Sequence, residues 1–283
     1  MQREFFPSVA GCTLVLSHDE VYDLIVAPHE ARFDATAARE LVAARCALER
    51  SNMVPVVSSE LLVGSPFCGA RDSFVIARRL KCLWPHAKVL VVLRQQVDAM
   101  LSLYKQYVLT GGVCSAHEFF LPPRSFSWNW FSDDYYQYDR LVEYYQSLFG
   151  VDAVVVRLYE DFAASTADFA THILVGLGLP VDDTDARPNR RVHASLSLGA
   201  TRILRIANRL ERTPNNPAPL VHLPGLRVVS QKGLRKIDPL LRRFVSDRRL
   251  RDWLNQRYEG VFTAGNRRLE SILGRDLRAL GYV

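Results

Sequence analysis

An α/β fold, with a parallel sheet flanked by helices and a helical basic C-terminal region, is what this sequence predicts, and three observations predict it. Short apolar runs rich in β-branched residues alternate with longer segments of helical periodicity. Those runs are apolar on both faces, as strands buried inside a parallel sheet must be. The alternation stops near Pro188, beyond which only helical periodicity remains.

In chain order, Cys12–Leu16 reads as a weak strand, Ala35–Arg50 as a helix, Val54–Ser58 as a strand and Ser73–Leu83 as a helix. Ala87–Leu93 is a strand, Val97–Leu109 and Tyr135–Phe149 are helices, Asp152–Leu158 is a strand and Phe162–Leu177 a helix. In such a sheet, ligands bind beyond the carboxyl ends of the strands. The later segments Leu196–Leu210, Pro239–Val245 and Leu250–Leu273 are basic and amphipathic. The Pro/Asn-rich run Thr213–Pro219 between them is a loop that no helix crosses. The expected organisation is an α/β core over 1–186 and a basic helical extension over 187–283, packed on the core as a lid or flank. No internal repeat is apparent.

Composition narrows the class. The chain has 283 residues, enough for one large domain or two small ones, and its 48% hydrophobic content is ordinary for a soluble globular protein. The five cysteines form no CxxC pair, which argues against a disulfide framework and a zinc site and for a reducing compartment. No apolar run reaches the roughly 18 residues of a membrane span, and no secretory leader is evident, so a cytoplasmic location is expected. The net charge of +6 conceals a division: residues 187–283 hold 21 Lys+Arg against 7 Asp+Glu, and residues 1–186 hold 15 against 23. Anionic partners are therefore expected at the C-terminal third: a nucleotide, an acidic saccharide, an anionic membrane surface or nucleic acid. A solvated basic helical face is the alternative.

The most informative stretch runs from Val89 through Arg94, Asp98, Ser102 and Tyr104 to Tyr107. A strand ends in an arginine and a helix begins almost at once. Asp98 and Ser102, four apart, share one helical face, and Arg94 sits with the helix start at the sheet edge. Unpaired backbone donors, a guanidinium fork and a hydroxyl together favour a phosphate. Asp98 is expected to cap backbone N–H groups or to orient Arg94. A surface salt bridge at Arg94 is the alternative.

These residues resemble a known family. Arg94-x3-Asp98-x3-Ser102-x-Tyr104 is similar to the 3′-phosphate-binding segment of sulfotransferases that use 3′-phosphoadenosine 5′-phosphosulfate, and other stretches of the chain resemble the bacterial carbohydrate-type branch more loosely. The resemblance implies a three-layer, P-loop-NTPase-like parallel sheet, with Arg94 and Ser102 holding the 3′-phosphate. Leu158-Tyr-Glu-Asp-Phe162 resembles the family's YED segment, so Tyr159 is expected beside the adenine or, alternatively, as a buried structural tyrosine. Looser likenesses lie in Ser58–Leu62, Ile76–Pro85, Gly111-Gly112, Gly265–Leu269 and Leu280–Tyr282. The sequence departs from the family in lacking a strand and loop resembling PKxGTT, which cradles the 5′-phosphosulfate. Its opening Gln2–Pro7 resembles the helix after that loop.

Sulfuryl transfer requires a base for the acceptor hydroxyl and a cation for the leaving phosphate. Glu60, after a strand, is the first candidate base, with a helix-capping or salt-bridged carboxylate as the alternative. His18 is the second candidate, with a surface histidine as the alternative. Lys105 and the Arg190-Arg191 pair are the available cations, with a solvated charge as the alternative for each. The aromatic run Phe126, Trp128, Trp130 and Phe131, followed by Tyr135, Tyr136 and Tyr138, forms either a sugar-stacking wall or core packing.

The expected function is sulfuryl transfer from the nucleotide co-substrate, without a metal, to a carbohydrate or similar hydroxylated acceptor. The second reading is an inactive relative that binds a nucleotide or polyanion. Nucleic-acid binding ranks last, because no recognised motif supports it.

Overall fold

The computed structural model describes residues 12–48, 53–122, 131–179, 181, 196–219, 221–244 and 246–282. Arg190, Arg191, Phe126, Trp128, Trp130 and the opening Gln2–Pro7 lie outside the described residues.

The chain builds a mixed α/β structure, rich in helix. Strand β1 (Cys12–Leu14) leads through α1 (His18–Val21), a π-turn over Tyr22–Val26 and α2 (Ala35–Leu48) to β2 (Val54–Val56). Two short 3-10 turns, Glu60–Val63 and Pro66–Cys68, precede α3 (Ser73–Leu83) and β3 (Val89–Leu93). Then come α4 (Gln96–Leu109), α5 (Ala116–Phe120), α6 (Tyr138–Phe149), β4 (Val154–Leu158), α7 (Tyr159–Ala164) and α8 (Thr166–Leu177). The C-terminal part is α9 (Leu198–Asn208), α10 (Leu226–Phe244), α11 (Arg248–Arg257) and α12 (Thr263–Leu273).

All four expected strands and their parallel pairing are present, but among the described residues they form two two-stranded sheets, β1–β2 and β3–β4, instead of one continuous sheet. Pro55 sits in the middle of β2 and has no N–H to give to a ladder, a substitution that only an edge strand tolerates. The two pairs nonetheless share a cover. Cys12 and Leu14 of β1, Val56 of β2 and Leu90 of β3 all belong to the apolar cluster built around Phe169, Ile173 and Leu174 of α8. Helix α3 packs into two further clusters, through Ala77 with β3 and through Ile76 and Leu83 with α1 and α2.

Three expected helical segments are divided, Leu250–Leu273 among them, which the turn at Tyr258–Phe262 splits into α11 and α12. Tyr135–Phe149 begins as a 3-10 turn over Asp133–Tyr136 before α6. Phe162–Leu177 is broken because Ser165 adopts an extended conformation and its hydroxyl caps α8 by accepting from the Asp168 N–H. The expected helix starting at Pro239 is instead the last part of α10, with Pro239 inside it. Pro239 and Arg235 are both exposed residues, a setting in which the lost bond costs least.

The C-terminal helices share their buried residues with β3, α4 and α6: Leu204, Leu234, Leu254 and Leu269 enter the same cluster as Val91, Leu93 and Met100. Close approach requires glycine where α12 meets α6. A Cβ on Gly265 of α12 would lie 2.6 Å from Oδ1 of the fully buried Asp139 on α6, whose Oδ2 accepts from Arg268 Nε at 2.8 Å.

Candidate functional site

Strand register builds the site. The pairing of β3 with β4 ends at Leu93↔Leu158, so the next residues, Arg94 and Tyr159, emerge side by side. The Arg94 guanidinium lies 4.7 Å from the centroid of the Tyr159 ring, a cation–π stack. Arg94 makes no ion pair with any described residue, and its buried Nε has no hydrogen-bond partner. Arg157, Arg205 and Arg227 also have an Nε without a partner, so what sets Arg94 apart is its place between a strand end and a helix start, where an anion is favoured.

The backbone around Arg94 is fixed by residues to which the sequence pattern assigned no role. Glu160 Oε1 accepts from the Gln95 N–H at 2.8 Å, and its Oε2 accepts from the Tyr282 hydroxyl at 3.1 Å. Gln95 in turn donates through Nε2 to the Gly281 carbonyl at 3.0 Å, and its Oε1 caps α4 by accepting from the Asp98 N–H at 2.7 Å. The C-terminal Gly281-Tyr282 segment thus buttresses the strand end. Burial and the nearby Glu160 carboxylate push the Tyr282 hydroxyl well above its ordinary pKa, so it remains a donor. Burial raises Tyr138 likewise, against the opposing pull of the Arg94 charge.

Ser102 lies eight residues beyond Arg94 on α4, half-buried, and its hydroxyl has no hydrogen-bond partner among the described residues. Two neighbouring expectations are corrected. Asp98 neither caps α4 nor orients Arg94: Gln95 is the cap, and Asp98 pairs with Arg251 of α11. Lys105 is buried and paired with Asp247, so it supplies no free cation. Both corrections have one cause: α11 packs along α4 and brings its own charges to that face.

The β1–β2 pair repeats the register logic. Its last pairing is Leu14↔Val56, and four residues beyond each partner stand His18 and Glu60. His18 Nδ1 lies 3.0 Å from Ser59 Oγ and 3.8 Å from Glu60 Oε2. Glu60 is not a helix cap, because Ser59 caps that turn by accepting from the Leu61 N–H. The Glu60 side chain is 73% exposed and that of His18 33%, so both are open to a substrate. The two candidate bases therefore form one cluster. Nearby, Ser17 and Glu20 make a capping box that fixes α1, and Arg45 donates to Glu20 Oε2 at 2.8 Å, holding that carboxyl down to a pKa of about 2.

The segments after β2 and after β3 are neighbours. The Pro66–Cys68 turn packs against α4, and Phe67 joins the α4 cluster. A concavity lined by Leu158, Asp161, Phe169, His172 and Arg275 lies beside α7 and α8, and another lies along Arg267–Arg278; neither is lined by Arg94, Ser102 or Tyr159. The described members of the aromatic run pack in the core: Phe131 meets Phe120 edge-on at 5.0 Å, and Tyr136 and Tyr138 are buried. No cluster of three or more metal-ligating side chains occurs among the described residues. All five cysteines are free thiols.

No protein-family profile matches the chain, and no curated protein matches it. A solved structure does: a sulfotransferase from Alicyclobacillus acidocaldarius, 18% identical, aligns over 98% of this chain and 91% of its own with a TM-score of 0.55. The chain is thus similar in fold to a sulfotransferase.

Proposed function

We propose that this chain transfers a sulfuryl group from 3′-phosphoadenosine 5′-phosphosulfate to a hydroxyl of a carbohydrate or similar acceptor, on a three-layer, P-loop-NTPase-like framework. The observation that carries the reading is Arg94: a guanidinium at the carboxyl end of β3, without a carboxylate partner among the described residues and with an orphaned Nε. Arg94 and the Ser102 hydroxyl take the 3′-phosphate, and Tyr159 stands beside the adenine. Arg190 and Arg191 take the remaining phosphate charge. Glu60, or His18 next to it, accepts the proton of the acceptor hydroxyl as sulfur is transferred, and the donor's bridging oxygen leaves with the nucleotide.

A second reading is favoured by one feature of the sequence: its 283 residues contain no loop of the PKxGTT pattern. A chain acting without such a loop binds the nucleotide but lacks the main stabiliser of charge on the bridging oxygen.

Calorimetric titration with 3′-phosphoadenosine 5′-phosphate and with adenosine 5′-phosphate tests both readings. Preference for the 3′-phosphorylated nucleotide is expected, and it disappears in Arg94→Ala. Equal affinity for the two nucleotides in the wild-type chain overturns the assignment. Binding without turnover of the sulfated donor selects the second reading.

A further inference from the structure

Helices α9 and α10 pack against each other, and their outer faces combine apolar and cationic side chains in an unusual proportion. On α9, Ile203 and Ile206 lie three residues apart, opposite the buried Ala200, Leu204 and Asn208, and Leu210 follows in the turn after the helix. Ile206 is 62% exposed. The connecting loop prolongs this stripe, because the Leu223 N–H donates to the Leu210 carbonyl at 2.7 Å, with Val221 and Leu223 both exposed. On α10, Leu234 and Asp238 point inward, and Val229, Lys232, Lys236, Leu240 and Arg243 occupy the opposite face. Val229 is 69% and Leu240 57% exposed.

The charges on this surface are of one sign. Residues 198–243 contain ten Lys+Arg and two carboxylates, Glu211 and Asp238, and both carboxylates are buried. Glu211 accepts from the Arg227 N–H at 2.5 Å, and Asp238 accepts from the Ser197 N–H and from Arg242. A neighbouring carboxylate from another element, Glu118, is held by the Ser115 backbone in its own capping box.

From this we infer that the α9–α10 face docks on an anionic phospholipid bilayer. A polyanion such as nucleic acid needs the cations alone and leaves the isoleucines, valines and leucines in water. A bilayer interface satisfies both sets: apolar side chains enter the boundary between headgroups and acyl chains, and Lys and Arg pair with lipid phosphates. The surface uses none of Arg94, Ser102, Tyr159, His18 and Glu60, so the inference stands whatever the chemistry of those residues.

Flotation of the full chain with vesicles tests it. Binding to mixed phosphatidylglycerol–phosphatidylcholine vesicles is expected to be at least about tenfold stronger than to phosphatidylcholine alone. The triple variant Ile206→Ser, Val229→Ser, Leu240→Ser is expected to bind about tenfold more weakly with an unchanged melting temperature, since all three side chains are exposed. Lys232→Gln with Lys236→Gln is expected to weaken binding as well. Absence of binding to the anionic vesicles overturns the proposal. So does a triple serine variant that binds vesicles as the wild type does, or a wild-type chain whose face is already covered by a second copy in sedimentation.

Discussion

Arg94 and Tyr159 meet because their strands pair in register: the last ladder pair of β3 and β4, Leu93↔Leu158, delivers a guanidinium onto the face of a phenol ring at 4.7 Å. The stack orients the arginine without neutralising it, so its charge stays available to an anion. Arg94→Ala is expected to weaken 3′-phosphoadenosine 5′-phosphate binding by about 2 kcal/mol, roughly thirtyfold, and to cost no more than about 1 kcal/mol of stability. Calorimetry and thermal melts separate the two effects, and unchanged affinity removes the phosphate from Arg94.

Glu60 and His18 are open and 3.8 Å apart. On the proposed function one of them takes the acceptor proton, and removing that one through Glu60→Gln or His18→Asn is expected to lower kcat by a factor of about 100 to 10,000, with nucleotide affinity unchanged. Full turnover in both variants places the base elsewhere.

Glu20 illustrates a pH dependence with a definite sign. Hydrogen bonds from Arg45, with help from Ser17, hold its carboxyl down to a pKa of about 2 in the folded chain, whereas an unfolded glutamate titrates near about 4.3. Below the unfolded value the unfolded chain takes up the proton first. The contribution of the pair is therefore complete above about pH 5 and disappears as pH falls toward about 2. Because the pair is partly exposed, Glu20→Gln is expected to cost about 1 kcal/mol at neutral pH and almost nothing near pH 2, read by denaturant unfolding at both pH values.

Two glycines are expected to respond in opposite directions. A Cβ on Gly112 meets the ring of Tyr107, which cannot yield because its hydroxyl accepts from the Val113 and Cys114 N–H groups at 3.2 Å. Gly112→Ala should destabilise the chain by about 1–3 kcal/mol. Gly233 lies inside α10, where a Cβ meets nothing within 4 Å, so Gly233→Ala should stabilise by about 0.5–1 kcal/mol. Chemical denaturation of both variants measures the contrast.

Local chemistry made much of this legible from the chain alone. Strand cores such as Val89–Leu93 are continuous apolar runs rich in β-branched valine, helix α3 has the expected bounds Ser73–Leu83, and Arg94 and Ser102 stand out because a strand end, a helix start and their spacing are all properties of neighbouring residues. Pairing and charge neutralisation are not local. Nothing in the sequence near Asp98 or Lys105 announces that Arg251 and Asp247 neutralise them, nor that Glu160, Gln95 and Tyr282 lock one another across the fold. The looser likeness at Leu280–Tyr282 was the available signal for that last contact, but a motif carries no partner with it.

The sequence by itself determined where the strands and most of the helices lie, that the C-terminal third is basic, and which residues end the strands, because these follow from side-chain volume, branching and charge along the chain. Only the tertiary structure decided that Arg94 lies on Tyr159 and that His18 stands by Glu60. Both pairings depend on strand register, which is set by how the apolar faces of β1–β4 settle under α3 and α8 and not by any property of the residues that register brings together.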